Sequence, residues 1–296
     1  MEINKFNAKH NKHEVINYYN IPFPFSTNEA ESRGTAITGM PKSGKSNLAK
    51  IIVDYMMGKG YNFKILDPSQ TWLGSTVPYY VEVNSFTDLT TVPAPLYKSV
   101  VYDTSRMLPD EQKIFVGILI ENDFQQICEI PNLKELAQYP NYWIIYVIEE
   151  AQMVVPSGSL RATYSQQTFR MVSVGRNFLQ RYILLTQRPA DISVKALSRA
   201  GQMYFGEHWE ENDIRKLSRL LNIKYKECKP LLQNLQIGEF IYLNPYDKMT
   251  VKIRSPEFTM KVKQINLMET MKPKKQSWWQ NFKEGFWRGY NRDRGK

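Results

Sequence analysis

Gly39-Met40-Pro41-Lys42-Ser43-Gly44-Lys45-Ser46 decides the fold. The stretch fills the pattern G-x-x-x-x-G-K-[ST], a turn that wraps a phosphate group. Before it, Thr35-Ala36-Ile37-Thr38 reads as a short buried strand. After it, Ser46 through Met56 reads as a helix ended by Gly58 and Gly60. That context separates the pattern from a glycine turn that happens to carry a lysine. Gly39 and Gly44 have no side chain, so the backbone can curl and aim N–H groups at an anion. The helix N-terminus adds the positive end of its dipole. Gly39, Met40, Pro41, Lys42, Ser43, Gly44, Lys45, Ser46 and Asn47 are therefore the candidate nucleotide-binding residues. Lys45 would bridge the outer phosphates and the Ser46 hydroxyl would ligate Mg2+. Pro41 has no N–H to contribute.

The 296 residues suffice for one large α/β core, with room for small additions. The content, 42% hydrophobic and 23% charged, is that of a soluble globular protein. No apolar run reaches about 18 residues, so no transmembrane helix is expected. Met1-Glu2-Ile3-Asn4-Lys5 leads into no secretory segment. Cys128 and Cys228 lie far apart without metal-ligand spacing, and buried free thiols in a reducing, cytoplasmic compartment are expected. His10, His13 and His208 make no zinc set. The formal charge of +10 favours polyanionic partners, either nucleic acid or an acidic membrane surface.

Outward from the loop, residues 1–33 read as an extended polar arm that packs on the core or on a neighbouring subunit. Phe63-Lys64-Ile65-Leu66, Tyr79-Tyr80-Val81-Glu82-Val83 and Ser99-Val100-Val101-Tyr102-Asp103 read as strands. A helix opens at Pro109-Asp110-Glu111 and carries Ile114, Phe115, Ile118 and Leu119 on one face. Strands alternating with helices predict a mostly parallel sheet covered on both sides. Trp143-Ile144-Ile145-Tyr146-Val147-Ile148-Glu149-Glu150 is a central strand with two carboxylates at its C-terminal end, where open α/β sheets place ligands. Glu149 can hold the metal's water shell while Glu150 polarises an attacking water. Taken alone, the same residues would suit a solvated strand end.

A polar helix from about 160 to 174 ends at Gly175-Arg176-Asn177. The strand Tyr182-Ile183-Leu184-Leu185 then runs into Thr186-Gln187-Arg188-Pro189. The Gln187 amide suits holding the lytic water or sensing the γ-phosphate. A short helix to Leu197, the strand Gln202–Phe205 and an amphipathic helix from 212 to 221 follow. Gly238–Leu243 and Met249–Ile253 form a terminal β-hairpin.

Phosphate loop, Glu-Glu-Ala-Gln, Gly-Arg-Asn and Thr-Gln-Arg-Pro-Ala-Asp-Ile-Ser, in this order, closely resemble the HerA/FtsK superfamily of ring-shaped DNA-pumping ATPases, HerA-type members most of all. The resemblance runs from about Thr35 to Arg254. It implies a RecA-like P-loop NTPase fold, a homohexameric ring and double-stranded DNA as partner. It further implies Lys45 and Ser46 for nucleotide and Mg2+, Glu149 for the metal shell, Glu150 as catalytic base and Gln187 as phosphate sensor. Arg176 or Arg188 would reach the next subunit's site as an arginine finger. The other role open to Arg176 is capping helix-end carbonyls. Glu149 stands where the family usually has Asp, a methylene longer. Only 38 residues precede Gly39, with no N-terminal barrel or membrane region. A stripped core of this kind looks most like the packaging ATPases of viruses with internal membranes. Ser157–Gln167 and the loop after Asp103 are the guesses for DNA contact.

The chain thus divides into an arm (1–33), a P-loop ATPase domain (34–255) and a connector with a basic aromatic tail (256–296). From Met271 onward, eight basic residues face Glu284 and Asp293, which is +6 of the +10. Trp278, Trp279, Phe282, Phe286 and Tyr290 would share one helical face. Three occupants stay open for that face: the protein's own core or a neighbouring subunit, a capsid or membrane component, and nucleic acid. The functional expectation is an ATP-driven duplex-DNA translocase serving viral genome packaging. The alternatives are a plasmid or cellular DNA-transfer or helicase motor and a nucleotide-gated assembly ATPase that moves no DNA. A small-molecule kinase is disfavoured, since no segment argues for an acceptor pocket and lid.

Overall fold

In the computed structural model the described residues are 2–7, 12–17, 34–85, 87, 89, 91–157, 163–245, 249–255, 257 and 264–270. The strands are β1 (Glu2–Asn7), β2 (Lys12–Asn17), β3 (Thr35–Thr38), β4 (Asn62–Asp67), β5 (Tyr79–Asn84), β6 (Val100–Arg106), β7 (Ile144–Ile148), β8 (Gln180–Thr186), β9 (Gln202–Phe205), β10 (Glu239–Asn244), β11 (Met249–Arg254) and β12 (Ile265–Asn266). The helices are α1 (Lys45–Gly58), α2 (Pro109–Cys128), α3 (Leu133–Leu136), α4 (Thr163–Val174), α5 (Val194–Ser198), α6 (Glu211–Leu221), α7 (Tyr225–Gln233) and α8 (Leu267–Thr270).

All described strands join one sheet in the order β12-β5-β6-β4-β7-β8-β3-β9-β10-β11-β1-β2. From β12 to β9 every pairing is parallel; β10, β11, β1 and β2 continue the sheet antiparallel. The strand before the glycine turn, β3, lies between β8 and β9, and the chain leaves it for β4, beyond β7. Such a reversal of strand order opens a crevice at the C-terminal strand ends, where α/β sheets bind ligands.

Burial of both faces explains why β7 reads as an unbroken hydrophobic run. Ile145 and Val147 pack with Leu48, Ile52, Val53 and Met56 of α1 on one face. Ile144, Tyr146 and Ile148 pack with Phe115, Leu119 and Ile120 of α2 and with Ile214 of α6 on the other. Both faces are covered, as a parallel sheet requires. The second face also contains an ion pair that no motif announces. Lys64 of β4 and Asp123 of α2 are paired and fully buried. The Tyr146 hydroxyl donates to Asp123 Oδ2 at 2.6 Å, and Gln180 Nε2 donates to the Tyr146 oxygen at 3.1 Å. Burial pulls the Lys64 pKa down and the Asp123 pKa up, and each partner's charge opposes the shift.

Several expectations are corrected. Within the arm expected to pack on the core or a neighbour, residues 2–7 and 12–17 are strands of the sheet itself. They pair with each other, and β1 also pairs with β11, so the sheet extends past the terminal hairpin. Two residues of the expected connector also join the sheet, because Ile265 and Asn266 pair with Tyr79 and Tyr80 at the opposite edge. Helix α1 runs through Gly58 and stops at Lys59. Cys128 is exposed, because it ends α2 on the solvent side, while Cys228 is buried as expected. The tail, residues 271–296, lies outside the described residues, as do 158–162 of the guessed DNA-contact stretch. No helix among the described residues is long and apolar enough to cross a membrane.

Candidate nucleotide site

The glycine turn is held from three sides. Gly39 N donates to Thr186 O at the end of β8 (3.2 Å), and Met40 N donates to Glu207 O beyond β9 (2.8 Å). Ser43 O accepts from Gly238 N before β10 (2.9 Å). Gly44 has φ 98°, and a Cβ there would lie 3.2 Å from Gly238 Cα, so a side chain is excluded by conformation and by space. The N–H groups of Lys42 and Gly44 have no acceptor among the described residues. Unpaired N–H groups at the N-terminus of a 14-residue helix make an anion cradle.

Lys45 is 8% exposed, and its Nζ donates to Met40 O at 2.9 Å. Burial lowers its pKa, while the charges of Glu150 and, second, Glu149 raise it. Both carboxylates follow β7, two strands from β3, at the same C-terminal end of the sheet as the turn that carries Lys45. The turn after β7 sends them apart, because Glu150 has φ 48°, in the left-handed region.

Glu150 is gripped by two amides. Gln187 Nε2 donates to its Oε1 at 2.5 Å, and Gln152 Nε2 donates to its Oε2 at 2.6 Å. Gln152 is fixed in turn, since the Thr186 hydroxyl donates to its Oε1 at 2.7 Å. The structure thus brings Glu150 and Gln187 together. Gln152, within the Glu-Glu-Ala-Gln motif, was missed as a participant; the residue next but one after the carboxylate was its signal.

Glu149 is engaged elsewhere. Its Oε2 accepts from Ser69 Oγ (2.7 Å), and its Oε1 accepts from Thr71 Oγ1 (3.1 Å) and Trp72 Nε1 (2.9 Å). A carboxylate offers about four acceptor sites. One remains for a metal-bound water, so the residues fit Mg2+ through its shell and not by direct ligation. Asp67, beside it, accepts the backbone N–H groups of Ser69, Thr71 and Trp72. Burial raises the Asp67 pKa and those N–H groups oppose the rise. The Ser69-Gln70-Thr71-Trp72 turn carries no motif and was not legible.

The two arginines part company. Arg188 is bound within its own chain, with Nε 3.3 Å from Asp213 Oδ2 and 3.8 Å from Asp191 Oδ2. Arg176 is exposed, and its side chain makes no hydrogen bond or ion pair among the described residues. It precedes β8, whereas the cradle lies at the other end of that strand. Seven residues of strand separate the two by on the order of 20 Å. Arg176 therefore does not reach the site of its own chain.

No protein-family model and no curated protein matches the sequence. Solved structures do match. The chain is similar to the genome-packaging NTPase B204 of Sulfolobus turreted icosahedral virus 2 in complex with ATP-γ-S, with TM-score 0.54 and 19% identity over 78% of this chain and 100% of that one. It is similar to VirB4 of Thermoanaerobacter pseudethanolicus, with TM-score 0.54 and 12% identity over 86% and 96%. It is also similar to the cytoplasmic domain of the Type VII secretion ATPase EccC of Thermomonospora curvata, with TM-score 0.52 and 12% identity over 87% of this chain and 26% of that one. The chain has the P-loop NTPase fold that the HerA/FtsK resemblance predicted, the fold shared by these packaging and secretion proteins.

Proposed function

We propose that the protein hydrolyses ATP and uses it to move double-stranded DNA through a homohexameric ring, in the service of viral genome packaging. One observation carries the reading: two amides orient Glu150 at the strand ends beside the phosphate turn, whose backbone is tied to Thr186, the residue before Gln187. The N–H groups of the turn and Lys45 take the phosphates. Glu150 draws a proton from the attacking water, and Gln187 touches both that carboxylate and the γ end of the nucleotide. Ser46 and, through water, Glu149 would hold Mg2+, which would supply neutralisation of phosphate charge. Arg176 of one subunit completes the site of the next, where a cation stabilises the developing phosphoryl charge. Similarity to B204, a genome-packaging NTPase, and the +10 charge support DNA as the polyanion. The basic aromatic tail would attach the ring to a capsid or membrane component, within the host cytoplasm.

Similarity to VirB4 and to a secretion ATPase supports a second reading, a plasmid or cellular transfer motor or a particle-assembly ATPase. ATP turnover with and without duplex DNA separates a DNA motor, of packaging or transfer type, from the assembly ATPase. Marked stimulation by duplex DNA, abolished in Lys45→Ala and Glu150→Gln, supports the DNA motor. Turnover indifferent to DNA rules it out and favours the assembly reading.

A further inference from the structure

Phosphate cradle and carboxylates account for only one end of a nucleotide. Glu150 and Gln187, on the β7 and β8 side of β3, mark where the γ-phosphate lies. The nucleoside then extends over the other flank, toward β9 and β10. Two short segments rise there: 206–209 leaves β9 and 236–238 leads into β10. The antiparallel register, with Ile241 opposite Phe205, brings them to the same edge of the sheet. Both are bonded to the phosphate turn, through Met40 N to Glu207 O and Gly238 N to Ser43 O.

Each segment carries one large apolar side chain open to solvent. Trp209 is 53% exposed and Ile237 is 69% exposed. Single exposed apolar residues are ordinary. These two stand next but one and next in sequence to Glu207 and Gly238, which are bonded to the phosphate turn on the flank away from Glu150 and Gln187. The indole is also oriented, since Trp209 Nε1 donates to Glu207 Oε1 at 2.7 Å. Its neighbour His208 is buried and bonded to Thr38 Oγ1 at 2.9 Å, which anchors the segment while Trp209 projects.

We propose that Trp209 and Ile237 form the seat of the nucleobase, with the purine stacked on the indole and Ile237 against the nucleoside. The seat rests on the nucleotide reading of the phosphate turn given above. A stacking surface reads the face of a base and not its hydrogen-bonding edge. ATP and GTP should therefore bind alike, and both should bind more tightly than inorganic tripolyphosphate.

The test measures binding of ATP, GTP and tripolyphosphate, each with magnesium, to the full chain. The variants are Trp209→Ala, Trp209→Phe, Ile237→Ser and Lys45→Ala. Trp209→Ala should weaken ATP and GTP about tenfold, within the range that base–aromatic stacking supplies, and leave tripolyphosphate unchanged. Trp209→Phe should restore most of the loss, and Ile237→Ser should behave as a milder Trp209→Ala. Equal weakening of tripolyphosphate shows a distorted turn and overturns the seat. Unchanged ATP binding overturns it too, as does lost ring assembly with an unchanged ATP-to-tripolyphosphate ratio, which assigns the pair to a subunit contact. Wild-type ATP binding indifferent to Lys45→Ala sinks the nucleotide reading itself, an outcome separate from failure at Trp209.

Discussion

Glu150 shows what one turn residue does for chemistry. Its left-handed backbone carries the carboxylate off the strand direction, and Gln187 and Gln152 then fix both of its oxygens. Replacing Glu150 by Gln should cut turnover by about 10²–10⁴, the usual worth of a positioned base. Gln152→Ala should lower kcat with KM unchanged if Glu150 is the base, because Gln152 orients that carboxylate and lies off the phosphate cradle; steady-state kinetics separates the two parameters. His208 carries a second prediction. Burial, and after it the charge of Lys45, pushes its pKa down to about 3 from 6.5. The native imidazole stays neutral while the unfolded one takes a proton below about 6.5, so stability falls as pH drops from there toward 3. The slope is at most about 1.4 kcal/mol per pH unit. Urea melts between pH 7 and 5 should show this loss, and His208→Gln should remove that part of it. At this scale spacing within motifs marks Lys45, Glu150 and Gln187 as candidates, and the structure brings Gln187 onto Glu150. The sequence did not disclose the grip on Glu149, because Ser69, Thr71 and Trp72 arrive from another strand's turn.

Between elements, the Lys64–Asp123 pair fastens α2 to the middle of the sheet. Asp123→Ala strands a buried ammonium, and unfolding by urea should register a loss of about 3–5 kcal/mol. Lys64→Met combined with Asp123→Leu should recover much of it, since an apolar pair carries no desolvation penalty. The parallel strands were legible element by element from continuous apolar runs bounded by turn residues. Helix α7 was not, because Pro230, a residue that reads as a helix breaker, lies inside it and only Cys228 and Leu232 are buried along its length. Strand β12, two residues long, offers no periodicity to read. The pairing of β1 with β11 was equally hidden, since nothing in Glu2–Asn7 names a partner some 250 residues away.

Across the whole molecule, the sheet separates the cradle at one end of β8 from Arg176 at the other. If subunits complete each other's sites, Lys45→Ala and Arg176→Ala chains should each be inactive alone. Mixing the two should restore turnover, because some junctions then pair an intact cradle with an intact arginine. No recovery on mixing, with rings confirmed by sedimentation, would exclude sharing through Arg176. The sheet order also sets how far the chain can be trimmed. Its outermost strands come from opposite chain termini, β2 from one and β12 from the other. Cutting at 263 would bare Tyr79–Asn84, and removing the first 17 residues would bare Met249–Arg254. Each newly opened backbone rim is a template for β-pairing with another copy. A multimer seen only in a shortened chain would therefore report strand-to-strand adhesion and say nothing about a ring.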